Sequence, residues 1–462
     1  DRVHLLVAEL KACQDARKDG YVGAIPDGDR VWQELERREI QSKGFDLNGI
    51  WVPWYTLHKL FAGLLDAHRL VGDGQALGIA AKLGDWAIHV TRNLDGDDWQ
   101  RMLACEHGGM NESLAELSVL TGDPKYLALA RQFHHDAVLS PLKAGEDRMA
   151  GLHSNTQIPK VIGLARLWEI EGKQEDRKAA EFFWDRIANH RSYVIGGNSN
   201  HEHLTHPDRL TDHLSDQTAE SCNTYNMLKL TRHLFAWSPK ASYFDFYERA
   251  LLNHILASQN PEDGMMMYFM PLRAGAVRNY STPFESFWCC VGTGIENHTK
   301  YAESVYFRQS RKLFVNLFLA TELDWKEQGI RLRQETAFPD EQRSVLRIEA
   351  TDGQPWPLAI RKPAWLRAMR VKVNGRAVEA TPDSDGYVVL ERRWKAGDRV
   401  EVALPLELRV EPMPDQANRV AFLAGPVVLA AEGIRPDQLP IMVSEGDASR
   451  LLRPVRGKPL RY

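Results

Sequence analysis

Three cysteines and one glutamate are the residues of this sequence best suited to bind a metal ion. One residue separates Glu220 from Cys222, and the adjacent pair Cys289 and Cys290 begins 67 residues after Cys222. Three thiolates and one carboxylate make the four-ligand set of a tetrahedral zinc site, and soft thiolates favour zinc over calcium or magnesium. The spacing is not the C-x-x-C of structural zinc fingers, so inert thiols buried between helices are the alternative interpretation.

The segment FESFWCCVGTGIENHTKY, at 284–301, places the adjacent cysteines at a glycine-rich entry into a predicted helix. A helix N-terminus lowers the pKa of a thiol, and a bound zinc ion lowers it much further. Both cysteines are therefore candidate thiolates. The chain has five cysteines in all, and this low, odd number argues against a disulfide framework.

A polar loop, YVIGGNSNHEHLTHPD at 193–208, carries Glu202 among glycines, asparagines and histidines. A carboxylic acid on a loop at the mouth of a helical domain is a candidate general acid. The histidines His201, His203 and His206 are candidate metal ligands, because H-x-H is a spacing found in metal sites. The alternative interpretation is a solvated polar loop.

Aromatic residues and a histidine recur at helical spacing in WVPWYTLHK, at 51–59. One helix face is predicted to carry them: Trp51, Trp54, Tyr55 and His58. The terminal histidine favours a pocket lining, with Trp54 and His58 as substrate contacts, over a plain core face. Two further histidines, His107 in EHGGMNE and His153 in LHSNTQIPK, precede predicted helices, where unpaired backbone N–H groups are available.

The elements that must position these residues are mainly helices. From residue 1 to about 305, helix, tight turn and helix repeat at intervals of about forty residues. Helical hairpins in series must bury one another, as an open solenoid or a closed toroid. Nine or ten helices are predicted, fewer than a six-hairpin barrel requires, and we expect that a front hairpin is missing.

After about residue 310 the hydrophobic period changes to two, which predicts an all-β module, a sandwich. Asn374–Gly375 is a strong signal for a two-residue hairpin turn. All histidines and cysteines lie before residue 299. We therefore predict a catalytic helical domain over 1–305 and a structural β-sandwich over 306–462.

Composition narrows the class of protein. The 462 residues are 44% hydrophobic and 26% charged, as in a folded domain. The net charge is −4, from 58 basic and 62 acidic residues, so no basic excess suggests a nucleic acid partner. No apolar run approaches the ~20 residues of a membrane span. An enzyme and a binding protein both remain open.

Five segments resemble motifs of the bacterial β-L-arabinofuranosidases of glycoside hydrolase families 127 and 146. They are VPWYTLHKLFAGLLDAH, EHGGMNE, HSNTQIPK, ESCNTYNMLKL and SFWCCVGTGIENHTKY. The resemblance spans about residues 1 to 430. It implies an (α/α)6 barrel followed by a β-sandwich, and a retaining exo-acting hydrolase that releases β-L-arabinofuranose from plant-type glycans.

The resemblance also implies individual roles. Glu220, Cys222, Cys289 and Cys290 match zinc ligands, and Cys289 in addition matches the catalytic nucleophile. Glu202 matches the general acid/base. The histidines of the motifs match residues of the substrate pocket: His58, His107 and His153.

Two other functions stay open on the sequence alone. An inverting glycoside hydrolase or a polysaccharide lyase on a similar toroid would use only Glu, Asp and His, and would leave the thiols dispensable. A non-catalytic glycan-binding protein would use zinc for structure alone. The expected partner is a glycan containing arabinofuranose, with a periplasmic or secreted location favoured over a cytoplasmic one. The sequence does not fix the oligomeric state.

Overall fold

The computed structural model of the protein describes residues 1–433 and 441–462. The chain forms two compact units, Asp1–Asp185 and Arg186–Tyr462. Helices dominate the first unit, whereas the second begins with helices and continues in strands from Tyr306 onward. The predicted change from helical hairpins to β-structure is therefore confirmed. Over the described part of the chain, no helix is both long and apolar enough to cross a bilayer.

The regular elements are as follows. The α-helices are α1 (Arg2–Arg17), α2 (Gly28–Glu36), α3 (Pro53–Val71), α4 (Gly74–Thr91), α5 (Gly96–Leu103), α6 (Met110–Thr121), α7 (Pro124–Gln132), α8 (Asp136–Lys143), α9 (Ser154–Glu171), α10 (Gln174–Ala188), α11 (Ser221–Trp237), α12 (Ala241–Ala250) and α13 (Cys289–Thr299). The strands are β1 (Ser42–Lys43), β2 (Asp46–Leu47), β3 (Ile50–Trp51), β4 (Tyr306–Gln309), β5 (Lys312–Val315), β6 (Thr321–Trp325), β7 (Ile330–Glu335), β8 (Arg343–Ala350), β9 (Pro355–Arg361), β10 (Arg370–Val373), β11 (Arg376–Val378), β12 (Tyr387–Arg393), β13 (Arg399–Ala403), β14 (Leu408–Met413), β15 (Gln416–Ala424) and β16 (Val427–Val428).

Turn residues explain why the helices of the first unit form hairpins. Helix α3 begins with Pro53, whose fixed φ suits a first helical turn, and ends before Gly72, which has a φ of 77°. The next residue, Asp73, accepts hydrogen bonds from the backbone N–H groups of Gln75 and Ala76 and so caps α4. One short turn therefore ends α3 and starts α4.

The segment 124–139 has a continuous helical periodicity in the sequence, but it forms two helices in the structure, α7 and α8. The break surrounds Phe133, which is fully buried and packs edge-on against Trp54 and Trp99. The Gln100 side chain accepts a hydrogen bond from the backbone N–H of Asp136 and donates one to the His134 carbonyl. Because another helix satisfies these backbone groups, the chain can turn where its periodicity alone suggests continuity.

Helix α12 does not end as a regular α-helix. Residues Leu251–Ile255 form a π-helical turn, and Leu256–Ser258 form a turn of 3₁₀-helix. Such π-turns are rare and often occur at functional sites. This one presents Asn253 to Pro426 and Val428, and it presents His254 to the polar loop that carries Glu202.

Two sheets of the second unit share one apolar core and form the predicted sandwich. Their strand orders are β11-β10-β13-β8-β7-β6 and β12-β9-β5-β4, and β14, β15 and β16 form a smaller third sheet. Core side chains come from both of the larger sheets, among them Ile348 and Ile360. Asn374 and Gly375, both with positive φ, connect β10 to β11, which confirms the predicted hairpin turn.

A buried ion network joins the sandwich to α12 within the second unit. The side chain of Arg361, at the end of β9, is fully buried and lies 2.6 Å from Asp245 Oδ1 and 2.6 Å from Glu248 Oε1. Its Nε donates to the Asn316 carbonyl at 2.7 Å. A buried charge of this kind is tolerable only while its partners are present.

We expect Arg361→Met to lower the free energy of unfolding by about 3–5 kcal/mol, because it leaves two carboxylates without their buried partner. Arg347→Met is the matched control, since Arg347 pairs with Glu335 where both side chains are more than one third exposed. The control should cost less than about 1 kcal/mol. Denaturant titration measures both values, and equal losses would contradict the role of Arg361.

Candidate functional site

Four side chains of the second unit meet where α11 and α13 begin. Glu220 immediately precedes α11, Cys222 lies in its first turn, and Cys289 and Cys290 open α13. One ligand atom from each side chain lies within 4.8 Å of the other three. Cys289 is exposed, whereas the other three residues are buried. The structure therefore assembles the predicted ligand set into one group that could hold a metal ion, with one thiol facing solvent.

The distances within this group are close to those around a tetrahedrally coordinated ion, except that the sulfurs of Cys222 and Cys290 lie closer together. The sulfur of Cys290 lies 3.3 Å from that of Cys222 and 3.8 Å from that of Cys289. Glu220 Oε1 lies 3.6 Å from the Cys289 sulfur and 3.8 Å from the Cys290 sulfur. Around tetrahedral zinc, two sulfurs are about 3.8 Å apart and a sulfur and an oxygen about 3.6 Å apart, given the usual bond lengths. Glu220 Oε2 is buried without a hydrogen-bond partner, which also suits a carboxylate that binds a cation.

Burial alone opposes ionisation of three of the four groups. It raises the pKa of Glu220, Cys222 and Cys290 well above their usual values. In contrast, hydrogen bonds from the thiols of Cys222 and Cys290 lower the pKa of Cys289 to about 3. A divalent cation would replace the protons of such a cluster, because metal-binding thiols must be deprotonated.

The loop that carries Glu202 has an unusual backbone. Ser199, His201 and Glu202 have φ values of 79°, 48° and 67°, and Ala219 on the neighbouring segment has a φ of 54°. Each non-glycine residue in this region costs about 1–3 kcal/mol where the surroundings enforce it. In this backbone conformation, a carboxylate oxygen of Glu202 lies within 4.8 Å of a carboxylate oxygen of Glu220.

Tyr268 connects the Glu202 loop to the cysteine cluster. Its hydroxyl donates a hydrogen bond to Glu202 Oε1 and lies 3.9 Å from the Cys289 sulfur. Burial and the charge of Glu220 raise the pKa of Tyr268, so the hydroxyl keeps its proton and remains a donor. Trp288 packs edge-on against the Tyr268 ring at 6.0 Å. Sequence analysis missed Tyr268, because a tyrosine in the apolar run MMMYFM reads as core.

The histidines of the loop are not metal ligands in this arrangement. His201 Nδ1 lies 2.9 Å from the Gln217 side-chain oxygen, and His203 Nδ1 lies 2.5 Å from the His201 carbonyl. Over residues 1–433 and 441–462, neither they nor His206 belong to a group of three or more metal-binding side chains. The histidines of this H-x-H spacing therefore lie outside the candidate metal-binding groups of the described residues.

Two of the predicted pocket histidines meet in the first unit. His58 is buried, and its Nδ1 accepts a hydrogen bond from the Gly109 N–H at 3.1 Å. His107 is also buried, and its Nδ1 lies 3.2 Å from the Cys105 carbonyl. That contact places the ring proton on Nδ1, so Nε2, which has no protein partner, is left as an acceptor. Burial and the charge of Lys160 lower the pKa of His107, which keeps the ring neutral.

A buried lysine organises this part of the first unit. Lys160 Nζ lies 2.8 Å from Glu106 Oε2, 2.9 Å from Gln157 Oε1 and 3.1 Å from His135 Nδ1. Gln157 in turn donates to Glu106 Oε1 at 3.0 Å. The sequence alone does not predict the ion pair of Glu106 and Lys160, because an ion pair between distant segments leaves no local pattern.

The remaining two predicted contacts have different surroundings. His153 is partly buried and precedes the first residue of α9, where its carbonyl accepts a hydrogen bond from Thr156. Trp54 is only 1% exposed and packs among Trp32, Trp86 and Phe133. The prediction of Trp54 as a substrate contact is therefore not supported, since its faces are occupied by core residues. Trp51 does not share its helix face either, because it lies in β3 before α3 begins.

Comparison with known sequences identifies the family. The profile of the GH127 catalytic domain of β-L-arabinofuranosidase matches residues 1–303, and the profile of the GH127 middle domain matches residues 312–406. The first match covers more than half of the chain. The chain therefore belongs to glycoside hydrolase family 127, which confirms the resemblance read from its motifs. Among curated proteins, none matches the chain.

Solved structures support the same assignment. The GH127 β-arabinofuranosidase BT3674 is 25% identical with a TM-score of 0.68, over 81% of this chain and 63% of that one. A GH127 β-L-arabinofuranosidase from Geobacillus stearothermophilus is 20% identical with a TM-score of 0.69, over 89% of this chain and 70% of that one. A further glycoside hydrolase has a TM-score of 0.68 at 19% identity, over 87% of this chain and 73% of that one. This likeness confirms the predicted fold class, and the chain spans 63% of the length of BT3674.

Proposed function

We propose that this protein is a retaining, exo-acting glycoside hydrolase that releases β-L-arabinofuranose, with Cys289 as nucleophile and Glu202 as general acid/base. One observation carries the proposal: a single tyrosine hydroxyl contacts both the exposed thiol of Cys289 and the carboxylate of Glu202. This contact supports the proposal, because it brings the candidate nucleophile and the candidate acid to the same hydroxyl group. The family to which the chain belongs supports the sugar specificity.

The metal ion in this proposal is zinc, held by Glu220, Cys222, Cys289 and Cys290. Thiolate ligands are the reason for choosing zinc over magnesium or calcium. When bound, zinc would keep the Cys289 sulfur deprotonated at neutral pH, where a free thiol is mostly protonated. The three buried ligands would hold the ion in place, and the exposed Cys289 would remain accessible to the sugar.

The protein's own residues would carry the two chemical steps. In the first, the Cys289 sulfur attacks the anomeric carbon while Glu202 gives its proton to the leaving oxygen. This step forms a covalent thioglycoside with inverted configuration. In the second, Glu202 removes a proton from water, and the water oxygen displaces the sulfur with a second inversion. Two inversions give net retention of configuration.

Tyr268 would hold the acid in place between these steps. Its hydroxyl donates to Glu202, which steadies the carboxylate when it is charged and orients its second oxygen towards the leaving group. The histidines His58, His107 and His153 are proposed to bind sugar hydroxyls. In this role, Nε2 of His107 would accept a hydrogen bond from a sugar hydroxyl, consistent with its tautomer.

The proposed substrates are arabinofuranose-containing oligosaccharides or polysaccharides of plant type. A periplasmic or secreted location would suit such substrates. Hydrolysis of p-nitrophenyl β-L-arabinofuranoside tests the activity directly. Comparison with the α-anomer and with the corresponding D-sugar tests its specificity.

The zinc proposal predicts about one zinc ion per chain in active protein, by elemental analysis. Cys222→Ser and Glu220→Gln should each lower zinc content, since each removes a ligand of the set. Cys13→Ser is the matched control, because Cys13 is an exposed cysteine far along the sequence from the set. Full activity in protein that contains no metal would contradict the proposal.

Tyr268→Phe should lower kcat/KM by about 10–100-fold, because a hydrogen bond to a charged group contributes about 1.5–3 kcal/mol. Steady-state kinetics measure this effect, and zinc content should not change. Tyr306→Phe provides a matched control, since that hydroxyl bonds to Thr321 in the sandwich. An equal rate in the two variants would show that the Tyr268 hydroxyl has no part in catalysis.

A further inference from the structure

The π-helical turn Leu251–Ile255 places a fully buried histidine behind the Glu202 loop. His254 Nδ1 lies 2.7 Å from the Thr224 hydroxyl of α11. Burial lowers the pKa of His254 to about 4, so the ring is neutral at physiological pH. The residue is neither exposed to solvent nor a member of the cysteine cluster. The two proposed chemical steps therefore do not involve His254 directly.

The ring of His254 lies directly against the start of the loop. A Cβ atom added to Gly197 would lie 2.6 Å from His254 Nδ1 and 2.8 Å from the Ala219 Cβ. At Gly196, which has a φ of 83°, an added Cβ would lie 2.6 Å from the Ala250 Cα. These distances are shorter than real Cβ contacts, so two glycines are needed to let the loop approach α12 and its π-turn.

From Gly196 and Gly197 the loop runs to Glu202 beside the segment 217–219. Ala219 donates its N–H to the Ser199 carbonyl at 3.0 Å, and His201 donates its N–H to the Gln217 carbonyl at 2.9 Å. Ala219 is also the residue before the metal-ligand candidate Glu220. The ring of His254 therefore lies against Gly197 in the segment that carries Glu202, and it interacts with the backbone of Ala219 in the segment that leads to Glu220.

The same two segments contain the positive-φ residues Ser199, His201, Glu202 and Ala219. Such conformations persist only where the surrounding structure holds them. We infer that His254 is a positioning residue that holds the Glu202 loop against the segment leading to Glu220. It does so through its hydrogen bond with Thr224 and its contacts with Gly197 and Ala219. This inference rests on the proposed function only for its kinetic consequence.

Hydrogen exchange tests the positioning role without any substrate. In His254→Leu, backbone amides over residues 197–203 should exchange about tenfold faster, because a buried anchor of the loop is lost. Amides of β12 in the sandwich should not change. Thr224→Val should produce the same local effect, and the double variant should add nothing to it. His254→Asn, which keeps a polar atom near the Nδ1 position, should restore most of the protection.

Hydrolysis rates then test whether the position of the loop affects Glu202. If His254 acts through Glu202, His254→Leu should slow hydrolysis of a glycan more than hydrolysis of the p-nitrophenyl substrate, and should have no further effect in a Glu202→Gln background. Unchanged exchange in the loop, or equal acceleration in the loop and in β12, would overturn the inference. Absence of hydrolysis in the unaltered protein would instead refute the proposed function, and the exchange result would still decide the role of His254.

Discussion

Cys289→Ser should lower the rate of hydrolysis by a factor of about 10⁴ or more, because it removes the proposed nucleophile of the first chemical step. A serine hydroxyl is a far weaker nucleophile at neutral pH than a thiolate. The three buried candidate ligands Glu220, Cys222 and Cys290 remain in this variant. Zinc content measured beside activity therefore separates loss of the proposed nucleophile from loss of the ion. Cys13→Ser, which removes another exposed thiol, should be fully active.

The same variant discriminates among the classes of function that the sequence left open. An inverting hydrolase or a lyase that uses only carboxylates and histidines would retain its activity without the thiol. A glycan-binding protein would bind its ligand equally well before and after the change, with no hydrolysis in either case. Activity within about tenfold of the original in zinc-loaded Cys289→Ser would contradict the proposed nucleophile.

Glu202→Gln should lower hydrolysis of a glycan by about 10²–10⁴-fold, the usual contribution of general acid catalysis. The loss on p-nitrophenyl β-L-arabinofuranoside should be much smaller in the first step, because p-nitrophenolate leaves without a proton. Burst kinetics on that substrate should then show accumulation of the covalent intermediate, since Glu202 would also activate water in the second step.

Glu262→Gln is the matched control, since Glu262 is an exposed carboxylate of the same unit. It should leave both substrates unaffected. Equal losses in the rate of the first step on the two substrates in Glu202→Gln would assign Glu202 a binding role instead. Retained activity on the glycan would mean that another group donates the proton.

The grouping of Glu220, Cys222, Cys289 and Cys290, which could hold a metal ion, could be predicted from sequence because few residue types have this chemistry. Cysteine is rare in this chain, and a Cys–Cys pair near a helix start together with E-x-C leaves few other interpretations. The helical hairpins and the sandwich could also be predicted from sequence, since the hydrophobic period and signals such as Asn374–Gly375 are local.

Features that depend on packing between distant segments could not be predicted. The aromatic spacing around Trp54 is the same for a pocket wall and for a core, and only the positions of Trp32, Trp86 and Phe133 decide between them. Tyr268 and His254 show the same limit. Each contacts residues far along the chain, and the π-turn that contains His254 has no periodic signal in LLNHI.

Affinity labelling followed by peptide mass spectrometry tests the central claim most directly. A haloacetamide analogue of β-L-arabinofuranose places its reactive carbon near the anomeric position, where the account puts the Cys289 sulfur. The prediction is alkylation of Cys289 and not of Cys290, suppressed by free L-arabinose, while any labelling of the exposed Cys13 is insensitive to the sugar. Sugar-protected labelling of Cys290 or of a carboxylate, with Cys289 unmodified, would contradict the account.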